Sequence, residues 1–221
     1  MKKKTLILGV ISVIVVVLGA TYLLWQGLKT EPDNPYKELE TVKLDTFFDK
    51  QGDYYVYAQR AGCPYCDNVQ GEIIEFSKIN QLYVIDTRAE GNEELKDYDW
   101  DEHHKLYDEE IGEVVDGEMV LYDGLTEETL RDKYSPLDYV IKRADKKFVE
   151  LNIEKEEGKV YAIRESAIID YSDASPDNLI VAGVPTLFHI QNGKIYNYYF
   201  GDIQILKHLG IDKPALDEYI S

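Results

Sequence analysis

YAQRAGCPYCD, residues 57–67, holds both cysteines of the 221-residue chain, Cys63 and Cys66, with Pro64 and Tyr65 between them. Upstream, Tyr54–Gln59 (YYVYAQ) is short and rich in aromatic and β-branched residues, the composition of a buried strand. Downstream, Val69, Ile73 and Phe76 recur at i, i+4 and i+7, one face of a helix ending near Lys78–Asn80. Leu82–Asp86 (LYVID) reads as a second strand. Strand, helix and strand in so short a span make a βαβ unit, which requires parallel strands and a right-handed crossover.

That reading puts Cys63 at a strand–helix junction. The unpaired N–H groups and positive dipole end of a helix start favour an anion there. The Cys63 pKa is therefore expected below the free-thiol value of about 8.5. Pro64 suits the first helical turn, where its missing N–H is not needed. Cys66, one turn further in, is placed to attack a mixed disulfide formed on Cys63, so Cys63 is expected to attack and Cys66 to resolve. Asp67 opposes thiolate formation from the same turn.

Two other readings of the pair are weaker. Zinc needs about four ligands, and no second cysteine pair exists; His103 and His104 are adjacent rather than spaced for one face, in an acidic helix expected to be exposed. A purely structural disulfide across two residues closes so small a loop that it constrains the unfolded chain little. A redox-active pair is preferred.

Pattern returns near the C-terminus. Gly183–Ile190 (GVPTLFHI) and Lys194–Phe200 (KIYNYYF) flank Gln191-Asn192-Gly193, whose Asn-Gly is a strong hairpin signal. Ile203–Ile220 reads as one helix or two, interrupted at Gly210 and Pro214. Pro185 is badly placed inside a central strand, because it donates no ladder hydrogen bond, and is expected as a cis-proline in a tight connection. His189 and the tyrosines Tyr196, Tyr198 and Tyr199 read as packing residues.

Between these regions the pattern is mixed. Leu44–Lys50 reads as a short amphipathic helix. Glu93–Glu118 carries 12 acidic residues and 2 lysines, with a helix expected around Asp101–Ile111 and Trp100, Leu106 and Ile111 as inward points. Thr126 opens a T-E-E-T run that predicts a helix through Lys133. Phe148–Ile153 and Lys159–Ile163 are read as a hairpin.

The N-terminus speaks to location. Lys2, Lys3 and Lys4 precede a charge-free run, Thr5–Trp25, of about the 20 residues needed to cross a bilayer. The lysines favour a cytoplasmic N-terminus. A cleaved signal peptide shares the basic start, but this run exceeds the usual ~7–15 apolar residues and no clear A-x-A site follows. The expected organisation is a cytoplasmic segment 1–4, an anchor 5–25, a linker 26–38 and an extracytoplasmic domain 39–221. Four of the 24 basic residues and none of the 42 acidic ones precede Glu31, so the exported part carries a formal −22. Such charge argues against nucleic acid and against docking flat on anionic lipid.

With CPYC at a strand–helix junction, GVPTLF some 120 residues later, the Asn-Gly hairpin and Gly201 after the final strand, the chain resembles the thioredoxin-fold thiol–disulfide oxidoreductases. It is similar in particular to membrane-anchored, Gram-positive bacterial forms and to thioredoxin-like accessory proteins of bacteriocin transport. The resemblance covers Tyr54–Asp86 and Gly183–Gly201, about half of the exported part. It implies a mixed four- to five-stranded sheet flanked by helices, with a large insertion at about 93–178 before the cis-proline strand. It also implies that cis-Pro185 lies against the cysteines, that the Val184 backbone pairs with an extended substrate segment, and that Pro64 and Tyr65 border the substrate. The implied activity is dithiol–disulfide exchange on exported proteins or peptides, with a possible membrane redox partner and no metal or organic cofactor. The site departs from the common thioredoxin pattern: Gly62 stands where Trp precedes the first Cys, Pro-Tyr between the cysteines is glutaredoxin-like, and Tyr57 stands where many thioredoxins carry a buried acid. The other function open to the sequence is a non-catalytic accessory module for an exported-peptide or bacteriocin system.

Overall fold

The computed structural model describes residues 35–122, 124–152 and 154–211, and the architecture below is that of the unit beginning at Glu38. It contains two four-stranded sheets.

The first sheet forms around the cysteine region. Strand β1 (Asp53–Gln59) leads into helix α1 (Pro64–Ser77), which returns to strand β2 (Leu82–Asp86). β1 and β2 are parallel, with Tyr55 opposite Leu82 and Gln59 opposite Asp86, as a helical crossover demands. On the other flank β1 pairs antiparallel with β7 (Thr186–Gln191), Ala58 facing Thr186. A hairpin through Asn192 (φ 52°) and Gly193 (φ 72°) then adds β8 (Lys194–Phe200), so the order is β2-β1-β7-β8. Both turn residues adopt the left-handed conformation that a two-residue hairpin requires, which is why Asn-Gly serves there. Helix α5 (Gly201–His208) follows at once and packs on α1.

Alternation along the strands divides the burial. Tyr54, Val56 and Ala58 of β1 join Tyr83, Ile85, Phe188 and Ile190 on one face. That face is covered by Val42, Leu44 and Phe47 and by the irregular segment bearing Tyr171 and Leu179. Phe188 sits edge-on between Phe47 (centroids 5.4 Å) and Tyr171 (5.7 Å). The opposite face receives Val69 and Ile73 of α1 and Ile205 and Leu206 of α5; Phe76 meets Tyr55 at 4.8 Å. Each fully buried side chain of this size contributes about 1.5–3 kcal/mol.

The second sheet corrects the expectation of one thioredoxin-like sheet carrying an insertion. Residues 109–164 build an independent antiparallel sheet, order β4-β3-β6-β5, from β3 (Glu109–Val115), β4 (Glu118–Leu121), β5 (Tyr139–Arg143) and β6 (Lys159–Arg164). The reason is local: Asp116 (φ 53°) and Gly117 (φ 84°) close a tight β3–β4 hairpin. Gly112 also lets the strands approach, since a Cβ there would lie 2.5 Å from the Val120 carbonyl oxygen. Helix α3 (Glu127–Lys133), capped by Thr126, lays Leu130 over Ile111, Ile141, Val160 and Ala162, with Tyr134 just beyond it in the same cluster. A separate cluster joins Tyr161 and Ile163 to Phe148 and Val149 of α4 (Lys146–Leu151). Two apolar clusters of its own make this segment a structural unit and not an elaborated loop.

Other expectations are corrected locally. Phe148–Leu151 is helical, not a hairpin strand, because Asp145 caps the Phe148 amide at 2.7 Å. The helix expected around Asp101–Ile111 is α2 (Trp100–Tyr107); Asp108 leaves it, Ile111 belongs to β3, and Leu106 points outward at 63% exposure. Within Leu44–Lys50 only Leu44–Thr46 is helical, as a single 3₁₀ turn. No helix among the described residues is long and apolar enough to cross a membrane. The anchor expected at residues 5–25 and the chain beyond Ile211 lie outside the described residues.

Candidate redox site

Cys63 and Cys66 are joined by a disulfide, with Cα atoms 5.2 Å apart, and fit a Cys-x-x-Cys redox motif. β1 ends at Gln59, and Gly62 (φ 71°) turns the chain into α1. Cys63 is the N-cap of that helix and Pro64 its first residue. The Cys66 amide donates to Cys63 Sγ at 3.1 Å and the Asp67 amide to the Cys63 carbonyl at 3.1 Å. The helix end thus presents a donor to the sulfur that would carry negative charge once the disulfide opens, the arrangement that lowers a thiol pKa.

Both cysteines are nearly covered, at 2% and 4% exposure. Pro64 and Asp67 are exposed beside them, as is Tyr65 at 60%. Tyr65 thus stands in solvent beside two covered sulfurs.

The Val184–Pro185 bond is cis, and the Val184 carbonyl oxygen stands 3.5 Å from Cys63 Sγ. Pro185 is buried and its carbonyl accepts from the Gly201 amide at 2.9 Å. The sequence-predicted residues Cys63, Cys66, Pro64, Tyr65, Val184 and Pro185 are thereby brought to one end of the first sheet. Across the two helices that flank this end, Asn68 Nδ2 donates to Asp202 Oδ2 at 2.8 Å. Tyr57 is fully buried in β1, and strand alternation puts it on the face covered by α1 and α5.

Two roles that matter here escaped the sequence, in which Trp100 reads only as an inward point. Trp100 Nε1 donates to the Ala182 carbonyl at 3.0 Å, and Tyr171 Oη to the Ile180 carbonyl at 2.9 Å, so both hold the chain leading into Val184. Burial pushes the Tyr171 phenol far above its usual range, which keeps that donor protonated. The available signal was slight: Trp100 is the one tryptophan beyond residue 25, in an otherwise acidic run.

The histidines belong to packing. His103 is not exposed as expected but 2% accessible, bonded through Nε2 to the Arg164 carbonyl (3.0 Å) and through Nδ1 to Tyr98 Oη (2.7 Å). Burial holds its pKa below the usual value, as does the neighbouring His104, against the Arg164 carbonyl, which favours the charged form. His189 stacks on Tyr55 at 4.4 Å and bonds Asp53 at 2.6 Å, and this bond holds the Asp53 carboxyl below its ordinary range. Tyr198 is tied at 3.0 Å to the Ala167 carbonyl and Tyr199 stacks on His208 at 3.8 Å, while Tyr196 is 69% exposed. Among the described residues no group of three or more His, Cys, Asp or Glu side chains is placed to hold a metal ion. No known protein family, curated protein or solved structure matches the chain.

Proposed function

We propose that the protein is an extracytoplasmic, membrane-tethered thiol–disulfide oxidoreductase acting on cysteines of exported proteins or peptides. The observation that carries this reading is the N-cap disulfide, Cys63–Cys66, with the Val184 carbonyl 3.5 Å from Cys63 Sγ. The charge-free run Thr5–Trp25 behind three lysines supports tethering.

Exchange runs as follows in the oxidising direction. A substrate thiolate attacks Cys63 Sγ; the Cys63–Cys66 bond breaks and Cys66 leaves as thiolate. A second substrate thiolate attacks the substrate sulfur of the mixed disulfide and expels Cys63 as thiolate. The substrate loses two electrons and two protons, and the protein gains them as a dithiol. In the reducing direction Cys63 attacks a substrate disulfide and Cys66 resolves the intermediate. Throughout, the Cys66 amide stabilises the Cys63 thiolate, and the Val184 backbone is the expected rest for an extended substrate strand.

The deciding experiment equilibrates the full-length chain with glutathione buffers and reads the dithiol fraction. A potential near about −120 to −180 mV identifies an oxidase or isomerase, and one below about −250 mV a reductase. A pair that fails to equilibrate with glutathione over hours sinks the enzymatic reading. A non-catalytic accessory module has one observation in its favour, the second sheet, which carries no cysteine and has its own core. Cellular function that survives Cys63→Ser but not disruption of that sheet would establish it.

A further inference from the structure

The chain that delivers Val184 to Cys63 is held by two residues outside the first sheet, Lys96 and Trp100, and by two within it, Phe200 and Thr186. Lys96 brackets it in a short parallel bridge with Ile180: the Lys96 amide donates to the Leu179 carbonyl at 3.0 Å, and the Val181 amide to the Lys96 carbonyl at 3.3 Å. One turn of chain later, the Trp100 indole donates to the Ala182 carbonyl at 3.0 Å. The same indole lies 5.7 Å from the Phe200 ring. That ring closes over Gly183 so tightly that a Cβ there would come within 3.1 Å of it. The Thr186 hydroxyl donates to the Gly183 carbonyl at 2.8 Å. The carbonyls on either side of Val184 are therefore held by hydrogen bonds, and the Val184 carbonyl itself is the one that faces Cys63.

The grip is anchored in turn on the second sheet. Trp100 opens α2, and three residues further on His103 is bound to the Arg164 carbonyl at the end of β6. Asp108, just past the helix, accepts the Arg164 amide at 2.9 Å and Lys155 Nζ at 2.9 Å. The Ala182 carbonyl is thereby linked through one short helix to the end of β6.

We propose that Trp100 is a positioning residue for thiol–disulfide exchange: by holding the Ala182 carbonyl, on a helix braced by the second sheet, it fixes the backbone on which an extended substrate rests beside Cys63. This rests on the oxidoreductase reading above. It gives the segment between β2 and β7 a task at the redox site. Because the indole bonds backbone and neither sulfur, its effect belongs to substrates long enough to lie along Val184, and not to small disulfides.

The test uses the reduced full-length chain in detergent micelles with two probes. One is glutathione disulfide; the other is a ten-residue extended peptide whose central cysteine is disulfide-linked to a fluorescent thiol. Trp100→Phe keeps the ring and removes the donor, and Trp100→Ala removes both; Leu106→Ala, on the exposed side of α2, is the control. The half-saturating peptide concentration should rise about three- to tenfold in Trp100→Phe and further in Trp100→Ala, as expected for a lost hydrogen bond. The glutathione rate, the reduction potential and the Leu106→Ala values should stay at wild type. Amide exchange over residues 179–184 should quicken in both Trp100 variants. An active wild type with an unchanged Trp100→Phe variant overturns the positioning role, as does equal slowing on both probes. A wild type that turns over neither probe overturns the oxidoreductase reading itself.

Discussion

Cys63 Sγ and the Val184 carbonyl oxygen meet at 3.5 Å across a sequence separation of 121 residues. The sulfur is fixed by the start of α1 and the carbonyl by the entry to β7, two elements that adjoin through β1. The pairing of β1 with β7, Ala58 facing Thr186, makes the approach a property of the sheet and not of either loop. The proposed exchange makes the two sulfurs unequal, and that inequality is measurable.

With Cys66→Ser, the mixed disulfide formed on Cys63 has no resolving thiol, so disulfide-linked adducts should accumulate on non-reducing gels. Cys63→Ser should form few or none. Equal trapping by both variants would contradict the assignment of Cys63 as the attacking sulfur.

In the reduced protein, alkylation of Cys63 by iodoacetamide should show a midpoint below about 8.5, because the Cys66 amide donates to its sulfur from the helix end. Asp67→Asn removes an opposing carboxylate from the same turn and should lower the midpoint by a further half unit or so. A midpoint that rises in Asp67→Asn would show that the carboxylate acts by another route.

The first sheet was largely legible in the sequence because its signals are local. Leu82–Asp86 and Lys194–Phe200 are strands with the expected limits, and Asn192-Gly193 announces its own turn. The site could be read for the same reason: its residues sit at element ends, where Gly62, Pro64 and Pro185 punctuate the chain. The second sheet was hidden. β4 has only four residues and shares its hairpin with a strand containing three glutamates, so its alternation is masked by charge. The Asp116-Gly117 turn was the legible clue. Trp100 and Tyr171 could not be assigned from sequence because their partners, the Ala182 and Ile180 carbonyls, are backbone atoms without a pattern.

Asp108 should prove a structural hinge-pin of the second sheet. Its side chain is 1% exposed and meets Lys155 Nζ (2.9 Å), the Arg164 amide (2.9 Å) and His104 Nδ1 (3.1 Å). Burial raises its pKa, but these three partners outweigh burial and the carboxyl titrates below its usual value. Its contribution is present above the unfolded carboxyl pKa of about 4 and lost as pH falls through the lower folded value. Asp108→Asn leaves Lys155 unpaired and should cost about 3 kcal/mol in denaturant unfolding at pH 7. A loss under 1 kcal/mol would mean that water satisfies Lys155.

His103 predicts a separate, milder dependence. Burial holds its pKa below that of the unfolded chain, so the unfolded state binds the proton more readily. Stability should therefore be full above about pH 6.5 and fall as pH drops below it. His208, lowered by burial and by His189, contributes in the same window. Unfolding midpoints measured from pH 8 to 5 should fall, and His103→Gln should flatten part of that fall. An unchanged slope in the variant would place the dependence elsewhere.

The second sheet lies, in chain order, wholly between β2 and β7, and this sets the order of assembly. β1 cannot pair with β7 until the chain between Gln59 and Thr186 has been brought together, a long-range closure for an unstructured chain. The pairings of β3 with β4 and of β5 with β6 span far less chain. Once formed, they gather residues 109–164 of that length into a compact body and shorten the loop that remains to be closed. In pulsed hydrogen exchange during refolding, amides of β3 and β4 should gain protection before those that bond β1 to β7. The redox pair thus acquires Val184 as its neighbour last, after the rest of the molecule has taken shape.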